Sequence, residues 1–161
     1  MKRKTIFNGN CSRRYQLWRE WDMFNPSFVQ FIGLNPSTAT AAEDDPTIRR
    51  CVGFAKRWGF GALCMTNLFS QVTPFPSELI LPADRAWPMD VQKLIDIGHE
   101  AGKIICCWGA FQTAKFWSVD VRQALIADGL KPFVLGLNND GSPKHPLYLS
   151  RETKPVPWIK K

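Results

Sequence analysis

The chain has 161 residues, 45% of them hydrophobic, and a formal net charge of +7. This length predicts one domain with its own core, and the basic charge favours a polyanionic partner, nucleic acid first. No run approaches the roughly 18 apolar residues of a membrane span. The basic N-terminus has no apolar segment behind it that would indicate a secretion signal. We therefore expect a cytoplasmic protein with no membrane partner, and a monomer.

Four short apolar runs are the predicted strands. Each is apolar on both faces, which is typical of parallel strands that are covered on both sides. A further strand is predicted at Tyr15–Trp21, at an edge of the sheet. The four runs are Phe28–Leu34, Ala62–Thr66, Lys103–Trp108 and Pro132–Leu137.

Helical segments separate these runs. Asp45 followed by Pro46 is typical of an N-cap and the first position of a helix, and this helix is predicted to end at Gly59. Two further helices are predicted over Arg85–Ala101 and Ala110–Asp128.

This alternation predicts an α/β fold, a single three-layer α/β/α domain over 1–161 with a central, mainly parallel four-stranded sheet. The core is expected over about 15–151. Residues 152–161 are expected to be a proline-rich tail, extended on the surface.

The five cysteines form no pattern of metal ligands. Their number is odd, and no C-x-x-C pair or His-Cys cluster occurs at ligand spacing. We expect no metal and no other cofactor.

Loops at the carboxyl ends of parallel strands are the expected ligand site. Asn35, in the first such loop, is suited to orienting a water, and is equally typical of an Asx turn. Glu43, Asp44 and Asp45 are candidate general bases, although Asp45 is also the predicted cap. Asn67 ends the second strand, where its amide suits either a base edge or the loop backbone.

A loop around His145 combines features of a DNA-binding segment. In HPLYLSR, a potential cation precedes apolar side chains that suit a wedge and polar ones that suit phosphate. A single loop histidine is also commonly without function. The expected wedge is Leu147, Tyr148 and Leu149, and the expected phosphate contacts are Ser150 and Arg151.

Four motifs in order resemble the uracil-DNA glycosylase superfamily, and within it the mismatch-specific uracil/thymine branch. FIGLNPSTA is similar to the first motif of that branch, GFGALCMTNLFSQVTP to its second-strand segment, IICCWGAFQTAK to its third, and KHPLYLS to its insertion loop. The motifs cover roughly Phe28 to Arg151. The chain also resembles a small bacterial and phage group that shares GLNPSTA and DDPTIRR.

The resemblance implies that the protein excises a base from double-stranded DNA. Asn35 would position the attacking water, Asn67 would bind the flipped base, and His145 would stabilise charge on the leaving base. Arg49 and Arg50 would either contact phosphate or simply solvate a helix face. The other expected contacts are Gly33, Leu34 and Ser37 for the substrate, and Thr38 and Lys144 for DNA.

Two departures from the uracil-specific branch bear on the substrate. That branch has Asp where this chain has Asn35, so Asp44 or Asp45 would have to supply a base. It also has an aromatic residue after the proline, where this chain has Ser37. The smaller residue favours a pyrimidine substituted at its 5-position, such as the hydroxymethylated or glucosylated cytosine of phage DNA, and hence a role in antiviral defence.

Two alternatives stay open. A non-catalytic DNA-binding module would keep the fold and the basic surface without turnover. A nucleoside or nucleotide hydrolase would use the same loops without a wedge.

Overall fold

The computed structural model describes residues 1–37, 40, 42–79, 87–112 and 114–159, without the side chains of residues 87–89 and 115–117. In this part of the chain, seven strands form one mixed sheet. The strands are β1 (Lys2–Phe7), β2 (Arg14–Glu20), β3 (Phe28–Gly33), β4 (Ala62–Asn67), β5 (Lys103–Cys106), β6 (Pro132–Val134) and β7 (Val156–Pro157), and the helices are α1 (Pro46–Arg57), α2 (Trp87–Glu100) and α3 (Ala114–Ala127).

The strand order is β1-β2-β4-β3-β5-β6-β7. β4, β3, β5 and β6 run parallel to one another, whereas β1, β2 and β7 are joined to the sheet by antiparallel pairs. The α/β class is therefore confirmed, and the prediction of a four-stranded sheet is wrong. The additional strands escaped prediction because β1 is polar and basic and β7 has only two residues, so neither resembles a strand covered on both faces. The predicted edge strand is β2, but β1 covers its outer edge.

Helices cover both faces of the parallel strands. On one face, Val29 and Phe31 of β3 join a buried cluster with Phe54 of α1. On the other face, Ile32 joins a second cluster with Leu94 of α2 and with residues of α3. Alternate residues of β3 thus enter different clusters, which explains why its sequence is apolar throughout.

The helix after β3 begins where its sequence predicts and ends at Arg57, two residues before the predicted Gly59. The Asp45 carboxylate Oδ1 accepts a hydrogen bond of 2.8 Å from the backbone N–H of Ile48, Pro46 occupies the first turn, and Gly59 beyond the end has a φ of +83°. α3 begins at Ala114, four residues later than predicted. Among the described residues, no helix is both long and apolar enough to cross a membrane.

The C-terminal segment is partly incorporated into the fold. Val156 and Pro157 pair with β6, and the ring of Trp158 lies 5.5 Å from that of Trp108, centroid to centroid. Residues 156 and 157 are extended and exposed, but the sequence did not predict that they pair with the sheet or that Trp158 packs beside them. The reason is that a short strand and one tryptophan suffice to attach a proline-rich segment to an open sheet edge.

Candidate functional site

A cavity of about 590 Å³ opens at the carboxyl ends of the parallel strands. Its walls come from the loops that follow β3, β4 and β5, and from a short 3₁₀ turn, Pro146–Tyr148. Neighbouring parallel strands end at the same edge of the sheet, so distant segments meet there. Nine of the residues predicted from sequence line this cavity: Gly33, Leu34, Asn35, Ser37, Asp45, Asn67, His145, Leu147 and Tyr148.

The Asn35 carboxamide is held in one orientation. Its Nδ2 donates hydrogen bonds to the carbonyl oxygens of Pro36 at 2.9 Å and Thr73 at 2.8 Å. Both partners are acceptors, so the NH₂ group must face them and Oδ1 must face away. Because both N–H groups are used, the side chain can offer only an acceptor to a molecule in the cavity.

Asn67 lies beside Gly33 at the ends of two paired strands. A β-carbon built at Gly33 would lie 2.8 Å from Asn67 Oδ1, so the missing side chain provides the space for this amide. Asn67 Nδ2 is buried, with no hydrogen-bond partner among the described residues. A buried donor without a partner costs about 1–3 kcal/mol, which a ligand acceptor would recover.

His145 presents an N–H group when it is neutral. Its Nδ1 accepts a hydrogen bond of 3.3 Å from the backbone N–H of Leu147, so the ring proton is on Nε2. Burial lowers the pKa of His145 from its ordinary value, and the carboxylate of Asp45 opposes this shift. The turn after β5 is tied to the His145 segment, because Gly109 N–H donates to the Pro143 carbonyl at 3.0 Å.

Asp45 both caps α1 and lines the cavity. Oδ1 accepts the bond from Ile48, whereas Oδ2 accepts one of 3.3 Å from the Ser37 hydroxyl. The cap therefore occupies one carboxylate oxygen, and the other lies with Ser37 at the cavity wall.

Asp44 has a different environment from its neighbour. Its Oδ1 accepts a 2.7 Å bond from Nε of Arg19, whose side chain is fully buried, and pairs with Nη1 of Arg3 at 3.3 Å. Asp44 is not among the described residues that line the cavity. The structure therefore brings Asp45, and not Asp44, to the site.

The residues predicted to contact DNA do not all line this cavity. Arg49 and Arg151 line a second, neighbouring cavity. Leu149 packs against the cluster around α1, and so faces the core. Lys144 and Ser150 are exposed outside both cavities, and Thr38 lies outside the described residues.

Arg14 is the main cavity residue that the sequence did not indicate. Burial lowers the pKa of its guanidinium to about 10, the carboxylate of Asp45 opposes the shift, and Arg19 adds to it. It is still cationic at neutral pH. At the start of an alternating strand, an arginine is expected on the solvent face, so no sequence signal identified it. Thr73, Trp108 and Phe111 also line the cavity and were not predicted individually.

Cys107 lines the cavity as a protonated thiol. Burial raises its pKa to about 12, although a hydrogen bond with the backbone of Ile32 opposes the shift. A thiol that is not ionised at neutral pH is a poor nucleophile. The site therefore offers two amides, a neutral imidazole, a carboxylate and a buried guanidinium, but no thiolate nucleophile.

Comparison with known proteins identifies a family without assigning an activity. No curated protein and no solved structure matches the chain. One family model, described as a protein of unknown function (DUF1643), matches residues 14–147. The match runs from Arg14 to Leu147 and includes Asn35, Asn67 and His145, so that the chain belongs to the DUF1643 family.

Proposed function

We propose that this protein is a DNA glycosylase that extrudes a pyrimidine from double-stranded DNA and hydrolyses its N-glycosidic bond. One observation carries the proposal: a single cavity holds an acceptor on Asn35, an unpartnered donor on Asn67 and a donor on His145, beside the exposed side chain of Tyr148. This is the arrangement that the resemblance to uracil-DNA glycosylases implies. We place the activity in the cytoplasm and in a single copy of the chain.

The reaction assigns one task to each group. The bond from C1′ to the base nitrogen breaks, and its electron pair passes to the base. A water held by Asn35 Oδ1 bonds to C1′, and its proton passes to Asp45. The Nε2–H of His145 stabilises the negative charge on the departing base, as donors aimed at developing charge do in other enzymes.

The cavity favours a substituted pyrimidine over uracil. Ser37 is small, and its hydroxyl is turned towards Asp45. A volume of about 590 Å³ lies within the range of roughly 300–1,000 Å³ typical of pockets for drug-sized molecules. A 5-hydroxymethyl group, or a sugar attached to it, is therefore our preferred substituent. Removing such bases from phage DNA would leave abasic sites and act as antiviral defence.

The rim of the cavity supplies the wedge. Leu147 lines the cavity, and Tyr148 is 86% exposed beside it. An apolar side chain inserted into the stack would occupy the space of the extruded base. Because Leu149 packs against the core, we assign the wedge to Leu147 and Tyr148 only.

The test is an abasic-site assay on defined duplexes. DNA that contains uracil, a thymine mismatch, 5-hydroxymethylcytosine or its glucosylated form is incubated with protein, then cleaved with alkali. We expect strand breaks at a 5-substituted base, and none with Asn35→Ala. Asn139→Ala, at an exposed asparagine, is the matched control and should keep activity.

Each contrary result identifies a different error. Breaks only at uracil would contradict the substituted substrate. Salt-sensitive binding without breaks on any duplex would favour the non-catalytic module. Full activity in the Leu147→Ala/Tyr148→Ala variant on free nucleosides would favour a nucleoside hydrolase; Phe24→Ala, at the opposite end of β3, controls for loss of an exposed aromatic ring.

A further inference from the structure

A second cavity, of about 520 Å³, adjoins the first and is lined by arginines. Three of them, Arg49, Arg50 and Arg57, come from α1, and Arg151 comes from the segment after the 3₁₀ turn. Leu147 lines both cavities. We call this second cavity the arginine groove; its position places a concentration of positive charge directly beside the wedge.

The charges in the arginine groove are largely uncompensated. Arg50 donates to the carbonyl oxygens of Pro146 and Leu149, and Arg49 donates to that of Asp44 at 2.8 Å. Carbonyl partners orient a guanidinium without cancelling its charge. Arg57 forms an ion pair with Glu152 at 3.0 Å, but the glutamate side chain is 81% exposed. An ion pair at the surface contributes little free energy of interaction.

Arg50 also fixes the position of the groove relative to the wedge. Its two acceptors lie at the start and just beyond the end of the 3₁₀ turn, so this side chain joins α1 to the segment that carries Leu147. A ligand held along α1 is therefore held in register with the candidate site.

We propose that the arginine groove binds the phosphodiester backbone of the strand that carries the extruded nucleotide, on one side of that nucleotide. This inference rests on the proposed function. It joins Arg57, which the sequence did not indicate, to three arginines that were already candidate phosphate contacts, Arg49, Arg50 and Arg151. Guanidinium groups suit phosphate because their planar N–H groups match its oxygens. Arg49 and Arg57 are separated by two turns of α1, or about 12 Å at 1.5 Å per residue.

That length favours a polymer over a single anion. One DNA strand carries a phosphate about every 3.4 Å along the helix axis, so the groove is long enough to face more than one phosphate between its outer arginines. Gly53 lies between them on α1 and also lines the groove, so the helix carries no side chain there.

Gly53 also provides a test in which shape and charge are separated. A β-carbon there meets nothing within 4 Å, so a side chain can be added without a clash. Gly53→Glu and Gly53→Gln have nearly the same shape and differ in charge. On an unmodified duplex, followed by fluorescence anisotropy, we expect Gly53→Glu to bind at least about fivefold more weakly than Gly53→Gln, and Gly53→Lys to bind more tightly than either.

The salt dependence of DNA binding measures how many phosphates the protein contacts. Each lost contact lowers the slope of log K against log salt by about 0.9, so Arg49→Gln and Arg151→Gln should each reduce it by that amount. Lys131→Gln removes the same charge before β6, at the opposite end of the sheet, and should leave the slope unchanged. Equal affinities of the Gly53→Glu and Gly53→Gln variants, or unchanged slopes for both arginine variants, would overturn the inference.

The experiments can contradict the glycosylase proposal and the groove proposal independently of each other. If wild-type protein forms no abasic sites but the groove variants change the salt slope, glycosylase activity is wrong and only the binding of the DNA backbone by the arginine groove is supported. If abasic sites form and the groove variants bind like wild type, only the groove is wrong. Tight binding of inorganic phosphate that a long duplex cannot displace would also overturn it, because the groove would then be a site for a single anion.

Discussion

His145 is the residue whose protonation state should control the site. In the folded protein burial lowers its pKa, so the folded state takes up a proton less readily than the unfolded chain does. Below the ordinary value of about 6.5 the unfolded state therefore binds more protons. The stability that depends on a neutral His145 is present above that pH, and it is lost as the pH falls through the lowered pKa.

We predict that His145→Asn reduces this pH dependence. Asparagine retains an acceptor for the Leu147 N–H but has no group that titrates in this range. Thermal unfolding from about pH 8 to pH 5 should show a smaller loss for the variant than for wild type. Turnover should fall by about 10²–10³, the usual cost of removing one charge-stabilising donor.

His99 provides the control for this experiment. It is the other histidine and pairs with Asp128 at the surface. If His145→Asn and His99→Asn unfold with the same dependence on pH, the environment assigned to His145 is wrong.

Gly33 should affect substrate binding through the position of the Asn67 amide. We predict that Gly33→Ala lowers substrate affinity about as much as Asn67→Ala does, and that the double variant is little worse than either. The reason is that the new β-carbon would lie 2.8 Å from Asn67 Oδ1 and displace the amide. Binding to a duplex that carries the preferred base measures this coupling; simple additivity of the two losses would contradict it.

At the residue scale, the sequence predicts that two side chains lie close together where each follows a predicted strand. Asn35 and Asn67 could be brought together because adjacent parallel strands end at one edge. Arg14 could not, because its burial depends on segments that are distant in the sequence, such as the one that carries Ser70. Nor could Asp44 be distinguished from Asp45, since the partner of Asp44 is Arg19, far away in the chain.

At the scale of elements, two adjacent carboxylates at the start of α1 perform different tasks. Asp44 ties the loop before the helix to β2 through Arg19, and Asp45 caps the helix and faces the cavity. Their variants should therefore separate stability from activity.

We predict that Asp44→Ala lowers the free energy of unfolding by about 3 kcal/mol, because it leaves a buried guanidinium without its carboxylate. Asp45→Asn should cost under about 0.5 kcal/mol, because asparagine caps a helix as well as aspartate does. It should nevertheless lower turnover by about 10²–10⁴ if the carboxylate is the general base. Urea unfolding and the abasic-site assay measure the two effects, and a stable Asp45→Asn variant with full turnover would leave Asp45 as a cap only.

The strands and helices could be predicted from the sequence where a local pattern encodes them. Continuous apolar runs identified the four parallel strands, and the Asp-Pro pair identified the start of α1. β1 and β7 lie at the edges of the sheet, where pairing requires no apolar run on both faces. Their positions depend on contacts with β2 and β6, which a local pattern does not encode.

At the scale of the whole molecule, the C-terminal segment supports the wall of the candidate site. Trp108 lines the cavity and is almost fully buried, and Trp158 packs against it. The guanidinium of Arg122 lies 4.5 Å from the centre of the Trp158 ring, and its Nη2 donates to the Trp158 carbonyl at 2.9 Å. The family match ends at Leu147, so this support comes from outside the matched region.

We predict that Trp158→Ala lowers the free energy of unfolding by about 2–3 kcal/mol. This is less than the roughly 3–5 kcal/mol of a buried aromatic side chain, because Trp158 is only partly buried. Abasic-site formation should slow, because Trp108 loses the ring that holds it. The salt slope of DNA binding should not change, because the arginine groove is built from α1 and Arg151. Val156→Ala, at an exposed position of β7, is the control. Equal stability and activity in the two variants would mean that β7 alone, without the tryptophan contact, supports the cavity wall.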